Sequence, residues 1–310
     1  MTEKDIDIIK NLFYSELQEW VTNIKPILSK GSVNDVYICD TEHWKRLLRI
    51  NTISYKEGEF EREALCISKA KEAGIKVPEV LTVWMKWETR YMIYDYISWK
   101  DWNESDADKV KLRRVLWEYA KKLHSITIEW YWSTIWEPSI RWWDDYVHYN
   151  IVSLGEWDEL RRLWVLTDEA SDVVKNLFSK MLWRNFSTGI IHNDISLKNI
   201  IVSDDWECTL IDWWSAEINI VPYMEFIEII ERHLDVNSPN DEELSAFIGW
   251  YGLTNDGFNT MQEDLIICSL LNSFDKLRWA IDKNPEQIEE FTLRAKEKLA
   301  YSLSLLGVIL

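Results

Sequence analysis

The sequence predicts an α+β protein: a small antiparallel sheet in the first third of the chain, then a larger, mainly helical part. Three observations predict it. Apolar runs of strand length, separated by polar turns, recur between residues 25 and 98. From residue 106 onward apolar residues recur mostly at helical spacing. The helical part is interrupted once, by IIHNDISLKNIIV at 190–202 and TLIDWWSA at 209–216, which read as strand, polar turn and strand, then a further short strand. A run of strands followed by a run of helices is the α+β pattern.

Taken in order, Ile6, Ile8, Ile9, Leu12, Phe13, Leu17, Val21 and Ile24 predict an amphipathic helix over residues 4–25, closed by Pro26. KPILSKGSVNDVYICD then reads as strand, turn at Gly31 and strand, and KRLLRIN (45–51) as a third strand. GEFEREALCISKAKEAGI is a helix with Glu61 and Glu63 in its first half. KVPEVLTVW and TRYMIYDYIS are two more strands around a turn at 85–88. Leu112, Val115, Leu116, Tyr119, Ala120, Leu123 and Ile126 share one face of a helix over 106–126, ending near His124. Residues 127–142 are loop-like and aromatic, and helices are expected at 143–154, 156–164 and 168–183. After the interruption the chain reads as helical from about 221, with Glu225, Glu228 and Glu231 on one side, and then at 241–253, 260–282 and 285–306. Those acidic residues either line a groove for a polyamine-like molecule or form a solvated face.

The interrupting stretch carries the chemistry. His192, Asp194 and Asn199 lie in its turn, and Asp212 follows the next apolar run. Phosphoryl transfer needs such groups: one carboxylate to accept a hydroxyl proton, and an amide with a second carboxylate to hold the Mg²⁺ that bridges the phosphates. A His-x-Asp with a later Asn also describes a plain polar turn. Asp212 at the next strand end, thirteen residues after Asn199, with strand-like flanks on both sides, sets this turn apart.

Composition narrows the partners. The net charge of −18 argues against nucleic acid, whose phosphates are neutralised by Lys and Arg, and suits either a cationic substrate or plain solubility. No apolar run reaches membrane-helix length, and the charged start MTEKDIDIIK lacks the apolar core of a signal peptide. Cys39, Cys66, Cys208 and Cys268 are scattered without metal-site spacing, which suits reduced thiols and a cytoplasmic location.

Tryptophan and glycine are out of balance. The chain has 20 Trp and 9 Gly, where average usage would give roughly 22 Gly. Trp44, Trp99, Trp130, Trp132, Trp206 and Trp214 occupy turn-like settings in which glycine is the natural residue. A bulky residue held in the left-handed region costs roughly 1–2 kcal/mol. The pattern fits a codon that the source reads as glycine, written here as Trp. Trp20, Trp143 and Trp213 have plausible packing contexts and are left out of that reading.

The hairpin resembles the catalytic loop of the aminoglycoside phosphotransferase and choline kinase family, of protein-kinase-like fold, in which His-x-Asp-x-x-x-x-Asn is followed by a metal-binding Asp after an Ile. The resemblance implies two lobes, residues 1–97 for the nucleotide and 98–310 for catalysis and substrate, with the hinge in YDYIS at 94–98. It implies Asp194 as the catalytic acceptor, His192 as a brace of the loop, and Asn199 and Asp212 as Mg²⁺ ligands. Arg49 would meet the nucleotide phosphates and pair with Glu63. Gly31, Ser32 and Asn34 would cover those phosphates, and the strand carrying Tyr94 and Tyr96 would flank the adenine. The implied activity is transfer of the γ-phosphate of ATP or GTP to a hydroxyl of a small, cationic molecule such as an aminoglycoside. Asn193, where many aminoglycoside enzymes have Gly, keeps a choline or amino-alcohol kinase in view. A catalytically silent nucleotide-binding module would be expected to lack Asp194 or Asp212, and both are present. Acceptor, nucleotide and oligomeric state stay open on sequence alone.

Overall fold

The computed structural model describes residues 3–27, 35–51, 58–86, 89–98, 100–101, 108–128, 142–155, 158–203, 206–227 and 241–308. The chain divides into two compact units, one of residues 1–116 with 196–216 and the other of 117–195 with 217–310.

The first unit is built on a five-stranded antiparallel sheet, in the order β1 (Val21–Ile27), β2 (Asp35–Thr41), β3 (Lys45–Asn51), β5 (Thr89–Asp95), β4 (Val80–Lys86). Helix α1 (Glu3–Leu17) presents Ile9, Leu12 and Phe13, one helical turn apart, to a core shared with Val21, Cys39, Leu48, Tyr91 and Ile93. Each apolar side chain fully buried there contributes roughly 1.5–3 kcal/mol. The expected helix over 4–25 therefore ends early. Residues 21–27 pair with β2 as an edge strand, on which Pro26 is tolerated. Helix α2 (Glu59–Glu72) follows β3, as the sequence suggests.

The same unit contains a small antiparallel sheet, in the order β6 (Lys100–Asp101), β8 (Ile200–Val202), β9 (Cys208–Leu210). Its hairpin is tied to the loop after α2, because Leu210 N–H donates to Lys76 O at 2.9 Å.

The second unit is mainly helical. Helix α3 (Lys109–His124) enters it at residue 117, and α4 (Trp143–Ser153), α5 (Glu159–Arg162) and α6 (Asp168–Ser179) follow. Asp158 caps α5 and Thr167 caps α6 through side-chain oxygens that accept from Leu160 N–H and Ala170 N–H. A two-stranded antiparallel sheet pairs β7 (Ser187–Ile191) with β10 (Glu217–Val221). Gly189 on β7 is required by close approach: a Cβ there would lie 3.0 Å from Ile126 O and from the Val221 side chain. The helical start expected near 221 follows β10, with residues 223–227 helical. Helices α7 (Asp241–Tyr251), α8 (Asn255–Lys283) and α9 (Ile288–Leu305) complete the unit, and Phe178 of α6 packs edge-on against Phe274 of α8. Among the described residues no helix is long and apolar enough to cross a membrane.

Candidate active site

Strand β3 alternates so that Arg49 and Leu47 share a face. The register sets Leu47 opposite Tyr94, which makes Arg49 and Tyr94 diagonal neighbours across the β3–β5 pair. Arg49 Nη1 lies 2.5 Å from Glu63 Oε1 on α2 and donates to Tyr94 Oη at 3.0 Å, while Tyr94 Oη donates to the same Glu63 oxygen at 2.7 Å. All three residues are buried, Glu63 to 1% exposure. Burial works against the Arg49 charge, but Tyr94 and Glu63 outweigh it and hold the pKa above the ordinary arginine value, with Asp212 adding to the pull. Burial and the neighbouring Glu63 push the Tyr94 phenol up as well. The expected pair of Arg49 with Glu63 is present. The Tyr94 hydroxyl is a third member that the sequence reading set beside the adenine instead. Tyr96 is half-buried, and its N–H donates to Lys45 O at 3.1 Å.

Hairpin β8–β9 brings Asn199 and Asp212 to one end of the same ladder. Ile200 pairs with Leu210, and Ile211 N–H donates to Asn199 O at 2.9 Å, so Asp212 follows the residue bonded to Asn199. Asn199 is buried at the end of a 3₁₀ turn, Leu197–Asn199. Asp212 has φ 65° and ψ 57°, left-handed backbone in which Asp is tolerated, and the 3₁₀ turn Trp213–Ser215 follows it. Arg62 of α2, which the sequence reading passed over, donates to Trp214 O at 3.2 Å and ties that turn to the helix bearing Glu63.

In the second unit, β7 delivers His192, Asn193 and Asp194. His192 is fully buried and Asp194 is half-buried. The anchor of this loop is Glu225, 1% exposed. It accepts the His192 N–H at 2.7 Å and the Asn193 N–H at 3.1 and 3.2 Å. His124 Nε2 lies 3.8 Å from the Glu225 carboxylate, and His124 Nδ1 meets Tyr251 Oη at 2.9 Å. Burial would raise the Glu225 pKa, but the charges of His124 and His192, with the Asn193 amide, hold it below the ordinary carboxylate value.

Glu225 is thus neither a groove residue nor part of a solvated face. Its buried carboxylate is consumed by backbone amides; only a Glu just after Pro222 hinted at it, inside an acidic stretch that looks alike throughout. Asn193 has φ 64°, so its residue type reports a left-handed backbone, which suits Gly or Asn alike. Gly31, Ser32 and Asn34, together with Glu228 and Glu231, lie outside the described residues. Among the described residues there is no cluster of three or more His, Cys, Asp or Glu suited to a metal. One carboxylate and one amide is the kind of donor set Mg²⁺ accepts when phosphates and water complete its shell.

These elements have the order and pairing of a protein-kinase-like phosphotransferase fold, and comparison with known proteins agrees. The model of the phosphotransferase enzyme family (APH) matches residues 24–223, and the chain belongs to that family. It is therefore an enzyme, a small-molecule kinase. No curated protein sequence matches it. Solved structures with the same fold include the ADP-bound aminoglycoside phosphotransferase APH(2'')-Ib, with 16% identity, a TM-score of 0.65, and coverage of 96% of this chain and 99% of that one. A protein described as a fructosamine-3-kinase from Haemophilus somnus 129PT has 15% identity, a TM-score of 0.63, and coverage of 95% and 96%. Spectinomycin phosphotransferase APH(9)-Ia, solved with ADP and spectinomycin, has 13% identity, a TM-score of 0.59, and coverage of 96% and 97%.

Proposed function

We propose that the protein transfers the γ-phosphate of ATP or GTP to a hydroxyl of a small, cationic molecule of aminoglycoside type. The observation that carries this reading is the buried Arg49–Glu63–Tyr94 cluster, in the same unit as an Asn199–Asp212 pair at one ladder end. Arg49 would position the nucleotide phosphates, and Glu63 and Tyr94 fix the direction of its guanidinium. Mg²⁺ held by Asn199 and Asp212 would neutralise charge on the phosphates. Asp194 accepts or orients the proton of the attacking hydroxyl. His192, fully buried, braces the loop. Phosphoryl transfer asks mostly for position and charge compensation, which is why so few groups suffice.

The charge of −18 supports a cationic acceptor, and structural neighbours solved with spectinomycin or gentamicin have acceptors of that kind. The left-handed backbone at Asn193 suits Gly and Asn alike, so it does not separate an aminoglycoside from an amino-alcohol acceptor.

Asp194→Ala is expected to cut turnover roughly 10²–10⁴-fold while nucleotide binding persists. Asp212→Ala is expected to abolish Mg²⁺-dependent nucleotide binding in titration calorimetry. Wild-type turnover in both variants would end this reading. A screen of labelled ATP against aminoglycosides, choline and ketosamine sugars identifies the acceptor.

A further inference from the structure

Among the described residues, six non-glycine residues have left-handed backbone: Gln18, Trp164, Trp183, Asn193, Trp206 and Asp212. Asn and Asp visit this region at modest cost. Tryptophan has no such excuse, and at 20 of 310 residues fewer than one would be expected among six places. All three indoles point outward, with exposures of 83% at Trp164, 86% at Trp183 and 58% at Trp206. Nothing about these side chains accounts for the backbone they sit on.

The hydrogen bonds say which residue belongs there. At the end of α2, Gly74 N–H bonds to Lys71 O and Ile75 N–H to Ala70 O. At the end of α7, Gly252 N–H bonds to Gly249 O and Leu253 N–H to Ile248 O. At the end of α9, Gly307 N–H bonds to Ser304 O and Val308 N–H to Leu303 O. Each is the paired closure in which a left-handed residue, normally glycine, follows the helix. Helix α5 closes with the same two bonds, Trp164 N–H to Arg161 O at 3.0 Å and Val165 N–H to Leu160 O at 2.8 Å. Trp164, with φ 57°, therefore stands where three other helices of this chain have glycine at φ 73°, 87° and 67°.

Trp206 makes the same point in the hairpin that carries Asn199 and Asp212. Strands β8 and β9 are joined through Ser203–Glu207 pairing, with Ser203 N–H to Glu207 O at 3.0 Å. Trp206 N–H returns to Ser203 O at 3.0 Å, and Trp206 has φ 67°. A three-residue connection that ends on a left-handed residue is a hairpin whose last loop position takes glycine. Trp183 has φ 64° in the turn beyond α6.

Other tryptophans behave as tryptophan. Trp213 is 1% exposed and donates its indole N–H to Leu210 O at 2.9 Å, and Trp143 is 7% exposed and donates to Met181 O at 3.2 Å. Neither has left-handed backbone. Of the six turn positions suspected from sequence, Trp206 has left-handed backbone. Trp44 is not left-handed: its N–H and carbonyl are both used by Thr41. Trp214 is not left-handed either, and Trp99, Trp130 and Trp132 lie outside the described residues.

We infer that residues 164, 183 and 206 are glycine in the protein as its source makes it, specified there by a codon decoded as glycine and written here as Trp. The gene is expected to carry UGA at 164, 183 and 206 and UGG at 143 and 213. Peptide mass spectrometry of the protein purified from its source should read glycine at the first three and tryptophan at the last two. UGG at all five codons, or tryptophan in the three peptides, overturns the inference. An independent test uses the chain as written. W164G is expected to raise the folded-to-unfolded ratio about 5- to 30-fold in urea titration. W164A should recover less, because alanine keeps a Cβ on left-handed backbone. W143G should lose stability. Equal stability of W164G, W164A and the parent chain overturns the backbone argument, and the triple W164G/W183G/W206G variant, expected to be the most stable of all, guards against one uninformative site.

Discussion

Glu63 in the first unit and Glu225 in the second are equally hidden, at 1% exposure each, yet they are satisfied in opposite ways. Glu63 is held by side chains, Arg49 and Tyr94. Glu225 is held chiefly by main chain, the amides of His192 and Asn193, with His124 alongside. A carboxylate bound by a cation and a phenol depends on three residue identities and can be tuned by any of them. A carboxylate bound chiefly by amides depends less on the identity of its partners, since every residue but proline offers an N–H. The first arrangement positions a charge; the second positions a loop.

The largest effect that sharpens this contrast is expected from Glu225→Ala. It leaves the buried His192 amide and the half-buried Asn193 amide without acceptors, at about 1–3 kcal/mol for the first and less for the second, and it should lower kcat along with stability. Glu225→Gln keeps one acceptor oxygen and should recover part of both. Chemical denaturation with parallel turnover measurement reads the split, and an alanine variant with wild-type stability would break the comparison. A smaller loss, about 1.5–3 kcal/mol, is expected for Glu63→Gln, which keeps the shape and removes the charge. Its signature should be a raised KM for the nucleotide, with the loop of Asp194 untouched.

The smallest effect separates the acids by pH. Asp275 in α8 is also buried, bonded to Tyr146 and Arg278, but burial outweighs these partners and pushes its carboxyl up to about 6. A carboxyl whose folded value is raised binds its proton in the native state while the unfolded chain has lost it. Asp275 therefore subtracts from stability as pH rises from about 4 to about 6, by on the order of 1–3 kcal/mol. Glu225, with its value lowered, works the other way: its contribution is present above the ordinary carboxylate range and is lost as pH falls through its depressed value. Asp275→Asn should flatten the fall between pH 4 and 6, as measured by urea unfolding across that range.

The same contrast explains what the sequence disclosed. Strand and helix periodicities located most described elements, though not β6 or β10, and the spacing of Asp194, Asn199 and Asp212 pointed to phosphoryl transfer. Arg49 and Glu63 were legible because an ion pair is written in two side chains. The misplaced helix over 4–25 failed because β1 is partly apolar at helical spacing, and pairing with β2 decided its form. Glu225 and Arg62 were missed because their partners are backbone atoms, which leave no mark in residue type.

An anchor that grips main chain has an evolutionary corollary. The grip at 193 runs through main chain, so the side chain there can change through descent wherever the new residue accepts left-handed backbone and the acid stays. The structural neighbours share this fold at 10–17% identity.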